Sequence, residues 1–397
     1  MQHIDNYNFS GKNALIRVDF NVPLNDHFSV TDNTRIRAAI PTIKKVIKDG
    51  GAAILMSHLG RPKGKANMGM SLKHVLSSLE ELLPGVTVKF ASDCIGKSAA
   101  DAVSVLKPGE VLLLENLRFY NEEEAGDEGF AKQLASLGDV YINDAFGTAH
   151  RAHASTAVIA KFFPENKMFG ELMQDEINNI DKVIKEHEKP FTAIIGGAKV
   201  SDKVGIIENL IAKADNILVG GAMAYTFIKA AGGDVGKSKT EDDKLGLARS
   251  LMQKAKEKNV RLLLPQDSLA ADSFSNDANV KVENSDNISN DRMGLDIGPK
   301  AVEDYKDILV KSKTILWNGP MGVFEWSHFE NGTKEIAFAV AEATSKGAFS
   351  LIGGGDSVAA INKFGLNDQV SYVSTGGGAM LEYLEGIELP GIEAVRK

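Results

Sequence analysis

Basic side chains that follow short apolar segments are the first chemical signal in the sequence. Four of them come shortly after segments of strand length in the first half: His58, Arg61, Arg118 and Arg151. The carboxyl ends of parallel strands meet at one edge of a sheet, so neighbouring strands would bring these groups together. Arg35, near the start of a predicted helix at 34–48, can reach the same edge. Gathered guanidinium groups call for an anion, and the pattern predicts a site for a small polyanion with phosphate or carboxylate groups.

Two polar residues follow the first apolar segment, 14–18, and belong to the same predicted site. Asp19 offers an acceptor and Asn21 an amide, and both suit a hydroxyl group. Any one of the arginines alone is better explained as a surface residue or a structural salt bridge, whereas five basic groups at matching positions favour the polyanion. A zinc site is the alternative for three histidines: His58, His150 and His153. No helical HxxxH or CxxC spacing supports zinc.

A glycine-rich segment with two lysines, 196–203, follows an apolar segment in the second half. Lys199 and Lys203 are four residues apart at a predicted helix N-terminus. Two ammonium groups and the helix dipole can bind one anion there. The segment does not match GxxxxGK[ST], so a P-loop ATPase is not predicted.

Further glycine-rich segments occur at 220–223, 353–357 and 374–378. Glycine lets backbone N–H groups approach phosphate oxygens closely. Asp356 lies among them and has two interpretations: it caps a helix, or it binds Mg²⁺, because an acidic side chain beside phosphates calls for a cation. Each segment alone is a weak signal, but together they predict a nucleotide-binding domain.

The segment 317–325 lies between these glycine-rich segments and forms an apolar turn that ends in a carboxylate. It suits a nucleoside, with the base on Pro320 and Val323 and the ribose hydroxyls on Glu325.

Short apolar segments alternate with helix-period segments along the sequence. The apolar segments include 14–18, 52–56, 111–114, 140–143, 192–195, 217–219, 261–264, 314–317 and 348–352. The helical segments include 34–48, 71–83, 130–137 and 243–258. This alternation predicts parallel sheets covered by helices on both faces. The predicted class is α/β, with two doubly wound, Rossmann-like parallel-sheet domains in three α/β/α layers, joined by a long helix.

A long amphipathic segment, 170–188, divides the chain into halves of similar size. It ends at Lys189-Pro190, and the alternation of strands and helices resumes at full length after it. We therefore interpret 169–189 as an interdomain helix rather than a crossover helix inside one domain. The domains on either side are predicted at 1–168 and 190–378.

The composition excludes several classes of protein. The 397 residues carry a formal net charge of −8, which disfavours nonspecific binding to nucleic acid or anionic membranes. Cys94 is the only cysteine, so there is no internal disulfide, and a reducing compartment fits. The sequence begins without an apolar signal region, and no apolar segment is long enough to span a bilayer. We expect a cytoplasmic protein with no nucleic-acid or membrane partner.

Motif-like segments along the whole sequence resemble those of the phosphoglycerate kinase family, in the family's order. They are 19–23, 57–62, 115–119, 144–153, 196–203, 317–325, 353–357 and 374–378. The resemblance implies a monomer that reversibly transfers a phosphoryl group from 1,3-bisphosphoglycerate to ADP, giving 3-phosphoglycerate and ATP in glycolysis. It implies a 3-phosphoglycerate site in the first domain, formed by Asp19, Asn21, Arg35, His58, Arg61, Arg118 and Arg151.

The resemblance also implies a site for Mg²⁺ with ATP or ADP in the second domain. Its residues are Lys199, Lys203, Gly220, Gly221, Gly294, Asn318, Pro320, Val323, Glu325, Gly354, Gly355, Asp356 and Ser357, with Asp356 as the metal ligand. The catalytic groups implied are Arg35, Lys203, Gly354 and Gly377. The C-terminal tail, 379–397, is expected to pack on the first domain. The segment 288–292 departs from the family, which often has Pro and Trp there, and this puts the local loop shape in doubt.

The implied reaction needs no general base, because the acceptor carboxylate is already ionised at neutral pH. Catalysis is expected to rest on positioning and charge stabilisation, with hinge closure that expels water. Two other functions compete with this one. A nicotinamide-dependent dehydrogenase should show GxGxxG after a strand, which no segment here does. A noncatalytic phosphometabolite-binding protein would explain the arginines but not Lys199, Lys203 and Asp356.

Overall fold

The computed structural model describes residues 3–397, and the chain divides into two compact units. The first unit comprises the residues up to Ile177 together with Ile387–Lys397, and the second is Asn178–Gly386. Each unit has its own six-stranded sheet and its own hydrophobic core. In the part of the chain that the structure describes, no helix has the length and apolar character to cross a membrane.

The first unit is built on six parallel strands. They are β1 (Asn13–Val18), β2 (Ala52–Met56), β3 (Val88–Phe90), β4 (Val111–Leu113), β5 (Val140–Asp144) and β6 (Lys167–Phe169). They are ordered β3-β4-β2-β1-β5-β6, so the chain winds outwards in both directions from β1. Every residue of β2 and β5 is buried, which is the pattern of strands covered on both faces.

The helices of the first unit follow its strands. They are α1 (Thr34–Lys48), α2 (Leu76–Leu82), α3 (Gly96–Ser104), α4 (Asn121–Ala125), α5 (Glu128–Ala135) and the start of α6 (Glu171–Ile184). The first turn of α6 is fixed by two side chains of this unit. Thr42 Oγ1 accepts from Glu171 N at 2.8 Å, and Asp144 Oδ1 accepts from Met173 N at 3.1 Å. These bonds satisfy N–H groups that a helix leaves unpaired at its N-terminus.

The second unit contains a second parallel sheet and two small ones. Its strands are β7 (Phe191–Ile195), β8 (Asn216–Val219), β9 (Asp234–Val235), β10 (Arg261–Leu263), β11 (Asp267–Ala271), β12 (Val280–Asn284), β13 (Asn287–Ile288), β14 (Met293–Ile297), β15 (Thr314–Asn318), β16 (Phe349–Ile352) and β17 (Tyr372–Val373). The parallel sheet has the order β10-β8-β7-β15-β16-β17. Strands β12-β11-β14 form an antiparallel sheet, and β13 pairs with β9.

The helices of the second unit connect these strands. They are α7 (Val204–Ile211), α8 (Met223–Ala230), α9 (Leu245–Glu257), α10 (Pro299–Leu309), α11 (Asn331–Ser345), α12 (Gly355–Lys363) and α13 (Gly378–Leu384). The last helix of the chain, α14 (Pro390–Arg396), belongs to the first unit. The predicted fold class, α/β with two doubly wound parallel-sheet domains, is confirmed.

The predicted tail 379–397 is divided between the units. Helix α13 packs on α7 in the second unit, where Asn209 Nδ2 donates to Leu384 O. The return to the first unit begins at Ile387. There the peptide of Gly391 is bound at both ends: its N–H donates to Ala149 O at 2.8 Å, and its carbonyl accepts from Asn143 Nδ2 at 3.0 Å.

The helix predicted at 170–188 ends at Ile184, earlier than expected. Lys185 N and Glu186 N still donate to Asp181 O, but two residues later the backbone bonds to β15. Glu188 N donates to Thr314 Oγ1 at 3.0 Å, and Thr314 Oγ1 donates back to Glu188 O at 2.9 Å. Pro190 also disfavours helical backbone at the residue before it. The segment predicted as one helix at 71–83 is a 3-10 turn, Leu72–Val75, followed by α2.

Candidate functional site

The carboxyl edge of the first sheet carries the basic residues that the sequence predicts. Strands β4, β2, β1 and β5 are adjacent in that order. The chain after them supplies the polar groups of this edge: Arg118, His58, Arg61, Asp19, Asn21 and Arg151. Arg35 lies in the first turn of α1. The sheet order therefore brings the predicted residues to one edge.

Arg35 is held in place by the loop after β1. Its Nη1 donates to Asp19 Oδ2 at 3.2 Å and to the carbonyl of Asn21 at 3.0 Å. Asp19 is buried, while the Arg35 side chain remains 40% exposed. Asn21 Oδ1 accepts from Gly60 N at 2.9 Å, which links this loop to the loop after β2. Asp19 and the side chain of Asn21 also bind protein groups, and their contact with a ligand hydroxyl stays a prediction.

Arg118 is the most enclosed arginine of the predicted set. Its Nη1 donates to Gly60 O at 3.0 Å, and its Nε lies 3.4 Å from Glu124 Oε1. Burial lowers the pKa of its guanidinium. Arg61 and Arg151 are exposed, and neither forms an ion pair with any residue from 3 to 397. This edge thus has two guanidinium groups held by hydrogen bonds, those of Arg35 and Arg118, and two exposed ones, those of Arg61 and Arg151, that can bind an anion.

Two buried histidines lie within this positive environment and are neutral at pH 7. Burial, followed by the charges of Arg17, Arg118 and Arg35, holds the pKa of His58 well below its usual value. Burial and the charge of Arg118 lower the pKa of His153 to about 4. Both groups therefore present uncharged rings amid guanidinium groups, and an anion would offset the repulsion that disfavours their protonation.

Arg17 and His153 were not in the predicted site. Arg17 lies inside β1 between apolar residues, and a single polar residue within an apolar strand does not indicate a binding site. His153 was considered only as a zinc ligand. Its position in the segment after β5 that also holds Arg151 could have placed it with the anion site.

The second unit contains a cavity of about 520 Å³. The predicted residues that line it are Gly221, Gly294, Pro320, Val323, Glu325 and Asp356. Lining residues that were not predicted include Ala198, Tyr225, Lys237, Lys239, Phe274 and Met321. Much of this lining is apolar, and the two carboxylates in it, those of Glu325 and Asp356, are exposed. The combination suits a ligand with a planar apolar part and polar ends.

Several predicted residues lie outside the lining of this cavity. They are Lys199, Lys203, Gly220, Asn318, Gly354, Gly355, Ser357 and Gly377. Three of them make hydrogen bonds within the second unit. Lys203 Nζ donates to Asn318 Oδ1, and Asn318 Nδ2 donates to Gly353 O at 2.8 Å. The buried Ser357 Oγ accepts from Gly319 N at 2.6 Å, which ties this hydroxyl to the loop after β15 and leaves its own O–H to donate.

The glycines of the second unit allow the loops to pack on one another. A Cβ on Gly196 would lie 2.0 Å from Pro320 O, and one on Gly319 would lie 2.1 Å from Gly196 O. Their N–H groups are partly used inside the protein: Gly196 N donates to Asn318 O and Gly221 N to Met321 O, both at 2.9 Å. The expectation that these glycines serve phosphate contact is therefore incomplete, because at these positions the close neighbour is another loop.

Two lysines and an aspartate are the charged residues predicted to lie beside the phosphates of the nucleotide. Lys203 is the residue before α7 rather than a member of its first turn, and burial lowers the pKa of its ammonium group. Lys199 is exposed in the loop before it. Asp356 is the second residue of α12, and the N-cap position is occupied by Gly354 with φ 91°. Asp356 makes no capping hydrogen bond, so its exposed carboxylate is available to the cavity.

Lys237 and Lys239 are the basic residues among those that line the cavity. They flank Ser238, which is buried and whose Oγ accepts from Gly294 N at 2.9 Å. That bond fixes the segment beside Gly294 and leaves the two lysines exposed at the cavity. No glycine-rich or family motif marks this segment, so the sequence gave no signal for it.

Comparisons with known proteins agree on one family. The family model described as phosphoglycerate kinase matches residues 4–387. A relative named phosphoglycerate kinase from Porphyromonas gingivalis is 55% identical and is matched over 99% of both chains. A second, from Chloroherpeton thalassium, is 54% identical over 99% of this chain and 98% of the relative.

Solved structures of the same family also match the fold. The structure of phosphoglycerate kinase from Coxiella burnetii aligns with a TM-score of 0.90 at 41% identity, over 98% of this chain and 97% of that one. The enzyme from Pyrococcus horikoshii aligns with a TM-score of 0.84 at 32% identity, over 100% and 98%. With sequence and fold in agreement over nearly the whole length, this chain belongs to the phosphoglycerate kinase family.

Proposed function

We propose that the chain carries out the family's reaction with its two substrates on separate units. The reaction transfers a phosphoryl group from 1,3-bisphosphoglycerate to ADP and gives 3-phosphoglycerate and ATP. The first unit would bind the triose acid and the second the nucleotide. The carboxyl edge of the first sheet carries this proposal, because it gathers arginines around two neutral, buried histidines.

The triose acid would bind where charge is available and not already paired. Arg61 and Arg151 are exposed without an ion pair in the described chain, and Arg35 has a placed but accessible guanidinium. Forked guanidinium groups match both the phosphate and the carboxylate of 3-phosphoglycerate. Asp19 and Asn21 would act by holding Arg35 and the loop of Gly60.

The nucleotide would occupy the cavity of the second unit. The base fits against Pro320 and Val323, and Glu325 can accept from the ribose hydroxyls. Lys199 and Lys203 would face the phosphates, together with Gly220, Gly354 and Gly355. Gly377, just before α13, is open to an approaching group, because a Cβ there would meet nothing within 4 Å.

Mg²⁺ fits this site as a metal held mainly by the ligand. In residues 3–397 no three His, Cys, Asp or Glu side chains are grouped to hold a metal ion. The carboxylate of Asp356 is exposed and lines the cavity. Mg²⁺ is commonly bound by one carboxylate together with substrate phosphates. When bound there, the ion would neutralise charge on the phosphate oxygens.

The chain's own residues would act by positioning and charge. The acceptor carboxylate is ionised at neutral pH, so no side chain needs to remove a proton. Arg35 and Lys203 would bind the oxygens of the transferring phosphoryl group, with backbone groups near Gly354 and Gly377. Fixed donors of this kind stabilise the charge that spreads over those oxygens.

Transfer requires reacting atoms about 3–3.5 Å apart. Since we propose the substrates on different units, hinge closure would follow binding of both. Closure would also exclude water that hydrolyses an acyl phosphate.

A coupled assay with 3-phosphoglycerate and MgATP tests the function directly. We expect ADP to form only when both substrates and Mg²⁺ are present. Nicotinamide reduction by the purified protein alone would support a dehydrogenase instead. Binding of 3-phosphoglycerate without turnover would support a noncatalytic binding protein. We further propose a monomeric, cytoplasmic enzyme, which sedimentation and cell fractionation can test.

A further inference from the structure

Arg17 is a buried arginine that the proposed mechanism does not use. It lies in β1 and is only 1% exposed. Its Nε donates to Ser155 Oγ at 2.8 Å, and its Nη1 donates to the carbonyl of Val18. Its Nη2 lies 3.2 Å from Nδ1 of His58. One guanidinium thus connects the strand, the segment after β5 and a histidine of the anion site.

The contact with Arg17 determines where His58 carries its proton. A guanidinium group has only donors, so Nδ1 of His58 must accept this hydrogen bond. A nitrogen that accepts carries no hydrogen, and the neutral ring then has its hydrogen on Nε2. His58 is 4% exposed, and the groups that face it, Arg17, Arg35, Arg118 and His153, all disfavour the imidazolium form.

The N–H on Nε2 of His58 has no acceptor among the residues the structure describes. This nitrogen is not one of the fully buried polar atoms that lack a partner, so it is open to a ligand at the edge of the sheet. The arginines of the same edge indicate which group would accept from it, because they select an anion.

We infer that Arg17 is a positioning residue that holds His58 as the Nε2–H tautomer, and that this N–H donates to an oxygen of the bound triose acid. The inference rests on the proposed function of the first unit. It assigns His58 the role of a neutral, directional donor and leaves the charge to the arginines. An uncharged donor can fix the orientation of the ligand without adding to the repulsion between guanidinium groups.

Arg17 is itself fixed from the opposite side by a buried carboxylate. Glu123 is completely buried, and it accepts from Ser155 Oγ at 2.6 Å and from Ser155 N at 3.0 Å. The Ser155 hydroxyl therefore donates to Glu123 and accepts from Arg17. Burial raises the pKa of Glu123, and the charge of Arg17 lowers it in turn. This chain of contacts orients the guanidinium towards His58.

The tautomer can be measured in the intact protein by ¹H–¹⁵N correlation of its histidine rings. At pH 7.5 we expect His58 to show a protonated Nε2 and an unprotonated Nδ1, before any ligand is added. Adding 3-phosphoglycerate should shift the Nε2–H resonance and leave the tautomer unchanged. A protonated Nδ1 or an imidazolium ring would overturn the inference even if the enzyme is fully active.

A pair of variants tests the donated hydrogen bond by binding. The amide nitrogen of His58→Gln can occupy the place of Nε2, and that of His58→Asn the place of Nδ1. We expect 3-phosphoglycerate to bind His58→Gln within about 3-fold of the wild type, and His58→Asn about 10–100-fold more weakly. Equal losses in the two variants would overturn the donation.

Arg17→Lys and Glu123→Gln separate positioning from a general loss of stability. Both alter the same buried network, but only Arg17→Lys removes the fork that reaches Nδ1. We expect the Nδ1–H tautomer to appear in Arg17→Lys and not in Glu123→Gln, whatever their melting temperatures. A wild-type His58 tautomer in Arg17→Lys would remove Arg17 from the assignment. If wild-type protein gave no turnover and no shift at His58 with 3-phosphoglycerate, the proposed function would fail, separately from the apo tautomer.

Discussion

Arg35 differs from Arg61 and Arg151, the exposed arginines of the same edge, because its guanidinium is already held in place. Asp19 and the carbonyl of Asn21 hold Nη1, and the rest of the guanidinium remains accessible. A donor fixed before the reaction stabilises developing charge without reorganising. We predict that Arg35→Ala lowers kcat by about 100-fold or more, while the Kd of 3-phosphoglycerate changes much less. Steady-state kinetics and calorimetric titration measure the two effects.

Arg37 is the matched control for this prediction. It lies in the same helix two residues further on, is exposed, and donates to Asn33 Oδ1 at 3.0 Å. Arg37→Ala should leave kcat within about 2-fold of the wild type. A near-normal kcat for Arg35→Ala would remove Arg35 from the catalytic groups.

Asp356 is predicted to set the Mg²⁺ requirement. Its carboxylate lies in the first turn of α12 and makes no hydrogen bond to the residues that the structure describes, so Asp356→Asn removes the charge without removing a hydrogen-bonded cap. Asp356→Asn loses one hard oxygen ligand, and we expect the Mg²⁺ concentration for half-maximal activity to rise about 10-fold or more. The measurement is activity against free Mg²⁺ at saturating nucleotide, with Asp368→Asn, which changes an exposed aspartate of the turn after α12, as control. An unchanged Mg²⁺ profile would exclude Asp356 as a ligand.

The anion site shows what residue types could and could not reveal from the sequence. Four basic residues could be placed together because each follows a strand and these strands are close in the sheet: His58, Arg61, Arg118 and Arg151. Arg17 could not, because it is inside a strand whose other residues are apolar. That Asp19 binds an arginine of the protein also depends on loop geometry, which spacing does not define.

At the scale of elements, two loops of the second unit can pack closely because glycine occupies their points of contact. Gly196 and Gly319 are so close that a Cβ on either would meet backbone of the other loop near 2 Å. Backbone cannot give way as a flexible side chain can, so one loop must move. We predict that Gly196→Ala weakens ADP binding at least about 10-fold, with 3-phosphoglycerate binding unchanged. Titration calorimetry with each ligand measures this.

Gly246 is the control for a glycine without such a neighbour. It lies in α9, and a Cβ there would meet nothing within 4 Å. Gly246→Ala should leave ADP binding unchanged and slightly stabilise the helix. If Gly196→Ala also binds ADP normally, the packing of the two loops does not shape the nucleotide site.

Asp144 makes the junction of β5 and α6 sensitive to pH. It is completely buried, its Oδ2 has no hydrogen bond, and burial raises its pKa to about 7. Between the unfolded value near 4 and this folded value, the native state keeps a proton that the unfolded state loses. The contribution of this group to stability is therefore complete below pH 4 and falls as pH rises to 7, by up to about 4 kcal/mol.

Asp144→Asn removes this titration. Relative to the wild type, we expect the variant to gain stability as pH rises from 4 to 7 and to level off above pH 7, as measured by urea unfolding at each pH. Asp101→Asn, which changes an exposed carboxylate of α3, should show no such trend. A constant difference between Asp144→Asn and wild type across this range would contradict the raised pKa.

Strands were easier to predict than helices, for a physical reason. Buried parallel strands are short apolar runs on both faces, and those at 52–56 and 111–114 match β2 and β4 closely. Helix ends depend on tertiary bonds. The helical pattern predicted as far as 188 stops at Ile184, and by Glu188 the backbone N–H and carbonyl both bond to Thr314, a residue distant in sequence.

At the scale of the whole molecule, the two sheets could be predicted because the alternation of strands and helices restarts after one long helix. The allocation of the C-terminal residues could not be predicted from that alternation. Helix α13 stays in the second unit because Asn209 and α7 contact it, whereas α14 is bound to Ala149 and Asn143 of the first.

Each ligand alone should slow hydrogen exchange only in the unit that binds it. A ligand that binds the native state of one unit stabilises that unit by about 2.7 kcal/mol at 100 times its Kd. We expect 3-phosphoglycerate alone to slow exchange in the loops of Asp19, His58 and Arg118, and ADP alone to slow it in the loops of Gly196 and Pro320. Each set of loops belongs to a single unit.

Both ligands together distinguish independent sites from hinge closure. Independent units would give the sum of the two single-ligand patterns. A ligand can shift a conformational equilibrium only by its differential affinity for the two states, and a ligand on one unit has little such difference. Two substrates that meet when the units close would together favour the closed state. In the ternary complex with 3-phosphoglycerate and a nonhydrolysable ATP analogue, we therefore expect hydrogen exchange to be slowed by more than the sum of the two single-ligand effects. Strict additivity would contradict closure, and protection of first-unit loops by ADP alone would contradict the assignment of substrates to units.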